Sequence, residues 1–552
     1  MAADKVSLDR RDFLKVTVAG AAAAVVTGGG GAPARAAPGA ADTPVAAGAA
    51  VPAFELDELT VADLQRMMKD GSSSASRLTE LYLGRIEATN RSGPQLRAVI
   101  ETNPEALAIA AALDRERREK GPRGPLHGIP VLLKDNIDTH DAMTTTAGSL
   151  ALEGSRPPRD SFVAERLRAA GAVLLGKANL SEWANIRSNR STSGWSARGG
   201  QCRNPYVLDR NPCGSSSGSG SAVAANLCAI AVGTETDGSI ICPSGMNGIV
   251  GMKPTLGLVS RAGIIPISHS QDTAGPMTRT VRDTALLLGA MAGYDPRDPI
   301  TAAAREHALA DYTRFLDKDG LRGARIGVAR KRLWGYSPHP DAAAAEAIEL
   351  MKKAGAEIVD PADLPADDFD RDELEVLLYE LKADLNAYLE SLGKAAPVKS
   401  LAEVIHFNEK NKDREMPFFG QELFLAAQEK GPLTDQKYLG ALAHGKKRAG
   451  AEGIDAVMAE HKLDALVAPS VSPAYPIDWV NGDHFLGASS SPAAIAGYPN
   501  ITVPCGFSFG LPLGISFFGR AFSEPVLLRL AYAFEQASQA RRPPQFRPTV
   551  TA

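Results

Sequence analysis

Two serines of the chain, Ser215 and Ser239, have surroundings that suit nucleophilic chemistry. Ser215 lies in a Gly- and Ser-rich segment at residues 211–221, and Ser239 ends a polar turn at residues 233–239. The residues between them fit a helix that advances the chain by about 15 Å and a strand that returns it by roughly 20 Å. We therefore expect the two hydroxyl groups to lie close together.

The turn before Ser239 also supplies backbone N–H groups. It is rich in Gly, Thr and Asp, which tolerate unusual backbone angles. Successive N–H groups in such a turn can converge on one anion, as an oxyanion hole requires. We therefore predict that Thr236, Asp237 and Gly238, together with Ser216, form the oxyanion hole or bind substrate. For Asp237, a purely structural role in the turn is equally compatible.

The run of Gly and Ser allows other interpretations. A flexible linker has this composition, but the run leads directly into helix-forming residues at 222–227. Gly214, Ser216 and Gly218 satisfy the pattern of a nucleophile elbow, yet an elbow needs a strand before its serine, and residues 207–212 are polar and end in proline. A phosphate-binding loop is not favoured, because no Gly-Lys-Ser/Thr sequence follows.

Five ordered blocks of the sequence resemble the amidase signature family. The two serine segments match the signature itself, including its spacing of 24 positions between the serines. The segment Asn-Pro-Cys before Gly214 and the Thr-Asp pair before Gly238 are most similar to the peptide-amidase branch, in which C-terminal amides are hydrolysed. The other blocks are residues 128–136 (GIPVLLKDN), 176–182 (GKANLSE), 248–255 (GIVGMKPT) and 496–499 (AGYP) with 511–514 (LPLG).

The resemblance implies three catalytic side chains: Ser239 as the nucleophile, Ser215 as a serine in a cis peptide context, and Lys134 as the base. A serine hydroxyl is a poor nucleophile at neutral pH and needs a proton acceptor. Lysine accepts a proton only when neutral, and burial beside the apolar residues 129–133 would lower its pKa from about 10.4. Ser215 would relay the proton. Without the resemblance, a surface lysine at a strand end would be the preferred interpretation of Lys134.

The positions after the nucleophile bear on substrate choice. Many family members carry an arginine two or three positions after the nucleophilic serine, in some of them to hold a substrate carboxylate. This chain has Ile241 and Cys242 at those positions. We therefore expect neutral amides to be preferred over acidic ones. Cys242 itself fits the role of a small buried thiol.

No cofactor and no metal are predicted. The nine histidines include no His-Glu-x-x-His motif and no nucleophile-plus-base pattern. His269 and the others are expected to be structural or surface residues. The five cysteines contain no Cys-x-x-Cys spacing, so neither a zinc site nor a disulfide framework is indicated.

The apolar pattern predicts an α/β fold. Helical periodicity covers residues 61–69, 75–89 and 104–120. Short apolar runs between helices predict an α/β sheet covered by helices on both faces, and the family resemblance implies a single large domain in which this central sheet is mixed. Residues 341–461 are almost wholly helical and more charged, which indicates a helical insertion or cap over one face. The predicted strands are residues 129–133, 173–175, 229–232, 326–328, 465–467, 501–503 and 513–518.

The composition excludes several classes of protein. The chain has 60 Lys and Arg against 64 Asp and Glu, a formal net charge of −4. This balance argues against a nucleic-acid or membrane-surface partner, because both need a field of positive charge. Hydrophobic residues at 44% and charged residues at 22% exclude disorder of the whole chain.

The N-terminus is predicted to direct export. Arg10 and Arg11 precede an uncharged run rich in Ala, Gly and Val that is too short and too weakly apolar to span a bilayer. We interpret residues 1–36 as a twin-arginine signal peptide, residues 37–53 as a flexible leader and residues 54–545 as the amidase domain. The mature protein would be secreted or periplasmic, with the export machinery as a partner and no stable membrane anchor.

Three functional hypotheses follow. The leading one is an exported amidase that hydrolyses linear carboxylic amides, including C-terminal peptide amides, to the acid and ammonia or an amine. The second is the glutamine-hydrolysing component of a tRNA-dependent amidotransferase, which works in the cytosol with partner subunits, so the signal peptide argues against it. The third is a silent protein that binds amides or peptides, which would have no need of Lys134, Ser215 and Ser239 together. No oligomeric state is predicted.

We predict that export depends on the two arginines and that cleavage falls close to Ala36. Replacing Arg10 and Arg11 by lysine should retain the charge but remove the pair that the twin-arginine route recognises. Fractionation of cells and the N-terminal sequence of the mature form measure both effects. An undiminished amount of mature protein outside the cytoplasm would contradict a twin-arginine signal.

Overall fold

The computed structural model describes residues 51–365 and 370–550. The predicted signal peptide, residues 1–36, lies outside the described residues, as does the predicted leader except for residues 51–53. The described part is a large mixed sheet of eleven strands flanked by helices, together with a two-stranded hairpin. This is the fold class that the alternation of apolar runs predicts.

The central sheet has the strand order β1-β3-β2-β6-β8-β7-β12-β13-β11-β9-β10, and β4 and β5 form the hairpin. The strands are β1 Val99–Thr102, β2 Pro130–Lys134, β3 Val173–Ala178, β4 Trp195–Ser196, β5 Gly200–Gln201, β6 Ile230–Glu235, β7 Val250–Lys253, β8 Thr273–Thr278, β9 Arg325–Val328, β10 Glu357–Val359, β11 Ala465–Pro469, β12 Asn500–Ser508 and β13 Leu511–Phe518.

Two neighbouring strands position the polar groups of interest. β2 pairs in parallel with β6, and Leu133 is opposite Val232. Every residue of both strands is buried. Because the carboxyl ends of parallel strands meet at one edge of a sheet, Lys134 at the end of β2 lies beside Glu235 at the end of β6 and the turn that follows it.

All seven predicted strands overlap observed ones, but β1, β7, β8 and β10 of the central sheet were not predicted. β8 shows why. It contains Gly275 and Pro276, which weaken a strand prediction. The glycine is required by packing, since a Cβ added at Gly275 would lie 2.1 Å from the carbonyl oxygen of Met252 on the neighbouring β7.

Local signals set the helix ends. The helix Val61–Asp70 begins with a reciprocal capping box between Thr60 and Asp63 and ends at Gly71, whose φ is +80°. The α-helices are Val61–Asp70, Ala75–Ile86, Ala106–Lys120, Phe162–Ala169, Ser217–Ala224, Ile241–Met246, Val281–Met291, Ala304–His307, Pro338–Lys353, Asp370–Ser391, Leu401–Lys410, Lys412–Glu415, Glu422–Gln428, Gln436–Lys446, Asp455–Glu460, Ser491–Ala496 and Glu524–Ser538. Shorter 3₁₀ turns are Leu150–Leu152, Glu182–Asn185, Pro299–Ala303, Thr313–Phe315 and Gly393–Ala395, and π-helical turns are Glu87–Arg91 and Lys447–Ile454.

The segment predicted as a helical insertion, residues 341–461, has two parts. Its first helix, Pro338–Lys353, packs on β12 and β13, and β10 joins the edge of the central sheet. The helices between residues 370 and 446, here called the cap, have a separate apolar cluster. In that cluster Leu377 and Leu381 pack with Trp183 and Ile267. The cap therefore packs on two connecting segments of the central sheet, the one that follows β3 and contains Trp183 and the one that precedes β8 and contains Ile267.

Crossing a bilayer requires a helix that is both long and apolar. None of the helices in residues 51–365 and 370–550 combines these two properties.

Candidate active site

Lys134 is fully buried at the carboxyl end of β2. Its Nζ atom lies 2.8 Å from the Ser215 hydroxyl, 2.8 Å from the Thr234 hydroxyl and 3.2 Å from the Thr234 carbonyl oxygen. No carboxylate is among these three contacts. The side chain is therefore surrounded by neutral acceptors in the interior, rather than capping a strand at the surface.

Burial decides the charge of this lysine. Removing an ammonium ion from water is costly unless an anion compensates it. Desolvation lowers the pKa of Lys134 to about 7, although the carboxylates of Asp272 and Glu235 act in the opposite direction. Lys134 is thus neutral in a large fraction of the molecules near pH 7, and a neutral amine can accept a proton.

Ser215 is held next to the lysine by a tightly packed loop. The Gly214–Ser215 peptide bond is cis, and the Ser215 carbonyl oxygen accepts a hydrogen bond of 3.0 Å from the backbone N–H of Ser181. A Cβ added at Gly214 would lie 2.1 Å from the Ser181 hydroxyl oxygen. Glycine at position 214 therefore permits the close approach that directs Ser215 towards Lys134.

Ser239 lies at the end of the turn after β6, and 8% of its surface is exposed. Its carbonyl oxygen accepts a hydrogen bond of 3.1 Å from the backbone N–H of Ser216. The Glu235 carboxylate accepts from the N–H groups of Ile240 and Ile241 at 2.7 and 2.9 Å. These bonds fix the turn, and they bring the two serine segments together as the spacing predicts.

The four residues proposed for the oxyanion hole or substrate binding have different surroundings. Thr236 and Asp237 line the cavity together with Ser215 and Ser239. Gly238 has φ of +76°, and a Cβ there would lie 2.9 Å from both the Cys242 sulfur and the Ser490 hydroxyl oxygen. The Ser216 hydroxyl instead contacts the backbone of Thr234, donating to its carbonyl oxygen at 3.0 Å and accepting from its N–H at 3.2 Å. Ser216 therefore ties its loop to β6.

The side chain of Asp237 is also anchored. Its Oδ2 accepts a hydrogen bond of 2.6 Å from the Ser491 hydroxyl. Thr236 donates to Asp272 at 2.6 Å. The turn is therefore oriented by Ser491 and Asp272, which are remote from it in the sequence.

The cavity over the two serines is mainly apolar on the cap side. Leu374 and Leu377 from one cap helix and Leu423 from another line it. Asp483 is a second carboxylate in its wall, and burial raises the pKa of that group to about 6. Among the described residues that line the cavity there is no lysine and no arginine. The acidic side chains of the described wall are thus Asp237 and Asp483.

Sequence reasoning did not identify Asp272 and Glu235. One carboxylate oxygen of Asp272 accepts a hydrogen bond from the Thr236 hydroxyl. The other oxygen accepts from the backbone N–H groups of Ile267 and Ser268, both at 2.8 Å. Burial raises its pKa to about 6. Glu235 was visible as an acidic residue at the end of an apolar strand, whereas the side-chain partner of Asp272, Thr236, lies 36 positions away in the sequence.

His269 connects this region to the cap. Its ring contacts Asp384 at 2.9 Å and Glu380 at 3.3 Å, both on the helix Asp370–Ser391. The hydrogen bond to Asp384 raises the pKa of the imidazole. These contacts place His269 at the junction of the cap with the loop before β8, which agrees with the structural role expected for it.

Comparisons with known proteins agree with this arrangement. The matches define a hydrolase that acts on amides. The sequence model of the amidase family matches residues 77–528, and the chain therefore belongs to the amidase signature family.

Individual relatives span most of the chain. It is 54% identical to the native peptide amidase of Stenotrophomonas maltophilia, whose crystal structure superposes with a TM-score of 0.86 over 90% of this chain and 100% of that one. It is 45% identical to a probable amidase of Arabidopsis thaliana, over 89% of this chain and 92% of the relative. It is also 36% identical to a glutamyl-tRNA(Gln) amidotransferase component of Chloroflexus aggregans, over 89% and 99%.

We predict that the rate of amide hydrolysis rises with pH through about 7, because the neutral form of Lys134 increases there. Asp272→Asn should move this limb to lower pH, since the Asp272 carboxylate raises the pKa of the lysine. The measurement is kcat/KM against pH for both proteins.

The matched control is Asp283→Asn. Asp283 is also buried with a pKa raised to about 6, but it is not among the charges that act on Lys134. Its variant should keep the limb of the unmodified protein. Equal profiles for all three proteins would show that the limb does not report Lys134.

Proposed function

We propose that this protein hydrolyses linear carboxylic amides through an acyl-enzyme on Ser239, with Ser215 and Lys134 as its proton relay. The observation that carries the proposal is the buried Lys134 amine, which lies 2.8 Å from the Ser215 hydroxyl with a pKa of about 7. Such an amine can act as a base at neutral pH.

The reaction would begin when the Ser239 hydroxyl oxygen attacks the amide carbonyl carbon. The Ser239 proton passes to Ser215 while the Ser215 proton passes to Lys134. The backbone N–H groups of the turn at residues 236–239 would stabilise the negative oxygen of the tetrahedral intermediate. Lys134 then returns a proton through Ser215 to the leaving nitrogen as the C–N bond breaks. Water, activated by the same relay, hydrolyses the ester and frees Ser239.

The substrates would be neutral amides, with C-terminal peptide amides as the leading class. A substrate carboxylate would enter a cavity whose described wall carries Asp237 and Asp483 and no lysine or arginine. The peptide-amide class is supported by the similarity to the peptide amidase of Stenotrophomonas maltophilia. Export of the mature protein, directed by Arg10 and Arg11, is part of the same proposal.

The amidotransferase alternative is supported by relatives of that name. Glutamine carries an α-carboxylate, which an enzyme needs a positive group to bind. The absence of lysine and arginine from the described cavity wall argues for amides without that group. A silent binding protein is disfavoured, because a binder gains nothing from a lysine kept partly neutral beside two serines.

We expect Ser239→Ala to abolish hydrolysis while the protein stays folded, because no other group would form the acyl-enzyme bond. Ser215→Ala and Lys134→Ala should each reduce kcat by about 10²-fold or more, the scale of proton-transfer contributions. Steady-state kinetics with an amino-acid amide and thermal unfolding are the measurements.

Ser221→Ala is the control for the serine run. Its hydroxyl donates to the Arg203 carbonyl oxygen and does not line the cavity. Turnover retained by Ser239→Ala would remove the nucleophile assignment, and a near-native rate of Lys134→Ala at neutral pH would make the lysine structural.

Neutral amides should be hydrolysed faster than ω-amides of dicarboxylic acids. We expect kcat/KM for an amino-acid amide or peptide amide to exceed that for succinamic or malonamic acid by at least about 10-fold, because the carboxylate loses its water without gaining a partner. Both classes are assayed under one set of conditions. A preference for the acids would contradict this prediction, because it would require a positive group that the described wall does not contain.

A further inference from the structure

Two cysteines line the same cavity as the serines. Cys213 precedes the Gly214–Ser215 peptide, and Cys242 follows Ser239 by three positions. Both residues are buried, with 4% and 5% of their surface exposed, and both are free thiols. They are thus accessible to a small molecule that enters the cavity and not to a large one.

The backbone holds these thiols next to each other. The Asn247 side chain donates to the carbonyl oxygens of Pro212 and Pro243, at 2.9 and 2.7 Å. On the other side, the bond from Ser216 to Ser239 joins the same two segments. The thiols lie between these two ties, and Cys213 is close enough to raise the pKa of the Cys242 thiol.

We propose that hydrogen peroxide oxidises Cys213 and Cys242 to a reversible disulfide that switches off hydrolysis. The thiolate of one cysteine attacks a peroxide oxygen, which forms an S–O bond, breaks the O–O bond and releases water after protonation. The second sulfur attacks the resulting sulfenic acid, so that an S–S bond forms, the S–O bond breaks and a second water leaves. Two thiols and one peroxide thus give one disulfide and two waters.

The order of the two sulfurs follows from their surroundings. The hydrogen bond to Cys213 and burial raise the pKa of the Cys242 thiol well above its usual value. A thiolate is the attacking species in such reactions. Cys242 is therefore a poor nucleophile towards peroxide, which leaves the first step to the other sulfur of the pair.

The loss of activity follows from the position of the pair, and this consequence rests on the proposed function. A disulfide requires an S–S distance of about 2.05 Å, much shorter than a contact between two thiols. Each cysteine is within three residues of a catalytic serine. A displacement of about 1 Å at such a site costs about 10²-fold in rate.

The test treats the purified protein with increasing hydrogen peroxide, blocks the remaining thiols and maps the peptides by mass spectrometry. We expect a cross-linked pair of peptides carrying residues 213 and 242, a parallel loss of activity of about 10²-fold, and recovery of both after addition of dithiothreitol. The cross-link is detected without any substrate, so it shows whether the disulfide forms even if the proposed hydrolysis is not observed.

Two variants complete the experiment, each compared with its own untreated rate. Cys242→Ser should lose the cross-link and the recovery by dithiothreitol, whereas Cys505→Ser, which removes a partly buried thiol outside the cavity wall, should respond like the unmodified protein. Absence of the cross-link overturns the proposal, as does a cross-linked protein that retains its activity. If Cys242→Ser does not fold, the peptide map of the unmodified protein remains decisive.

Discussion

The rest of the site depends on the burial of one amine without an ion pair. Lys134 is surrounded by the hydroxyl of Ser215 and by the hydroxyl and carbonyl oxygens of Thr234. A carboxylate in direct contact would keep the lysine charged, and a wholly apolar site would leave its hydrogens without acceptors. The hydroxyl-lined pocket avoids both outcomes, and the resulting pKa of about 7 would make the proposed serine–serine–lysine relay usable at neutral pH.

Asp272 and Glu235 limit how far that pKa falls, and they also build the site. Both act on Lys134 through space rather than by contact. Their oxygens accept hydrogen bonds from Thr236 and from the backbone N–H groups of Ile240 and Ile241. Because the same two carboxylates orient the turn and limit the fall in the pKa of Lys134, the geometry of the site and the proton affinity of Lys134 are coupled.

The sequence allowed much of this to be predicted, and the failures share one cause. Buried strands such as β2 and β6 are apolar runs, and the 24-residue spacing of Ser215 and Ser239 matched a known signature. β8 was missed because its glycine and proline reflect contact with β7, which is remote in sequence. Asp272 was missed for the same reason. Its side-chain partner Thr236 is 36 positions away and meets it only in the folded chain, although its bonds to Ile267 and Ser268 are local.

The cap bears on the proposed choice of substrate. Leu374 and Leu377 form part of the cavity wall that Ser239 also lines. An apolar wall strengthens the charge interactions inside a cavity, which under the proposed function would include those of Asp237 and Asp483 with a bound substrate. In a hydrated groove, water would screen an acidic substrate from these carboxylates. Under an apolar cover this screening would be weaker. Under the proposed function, the apolar cap and a described wall without lysine or arginine would together disfavour acidic amides.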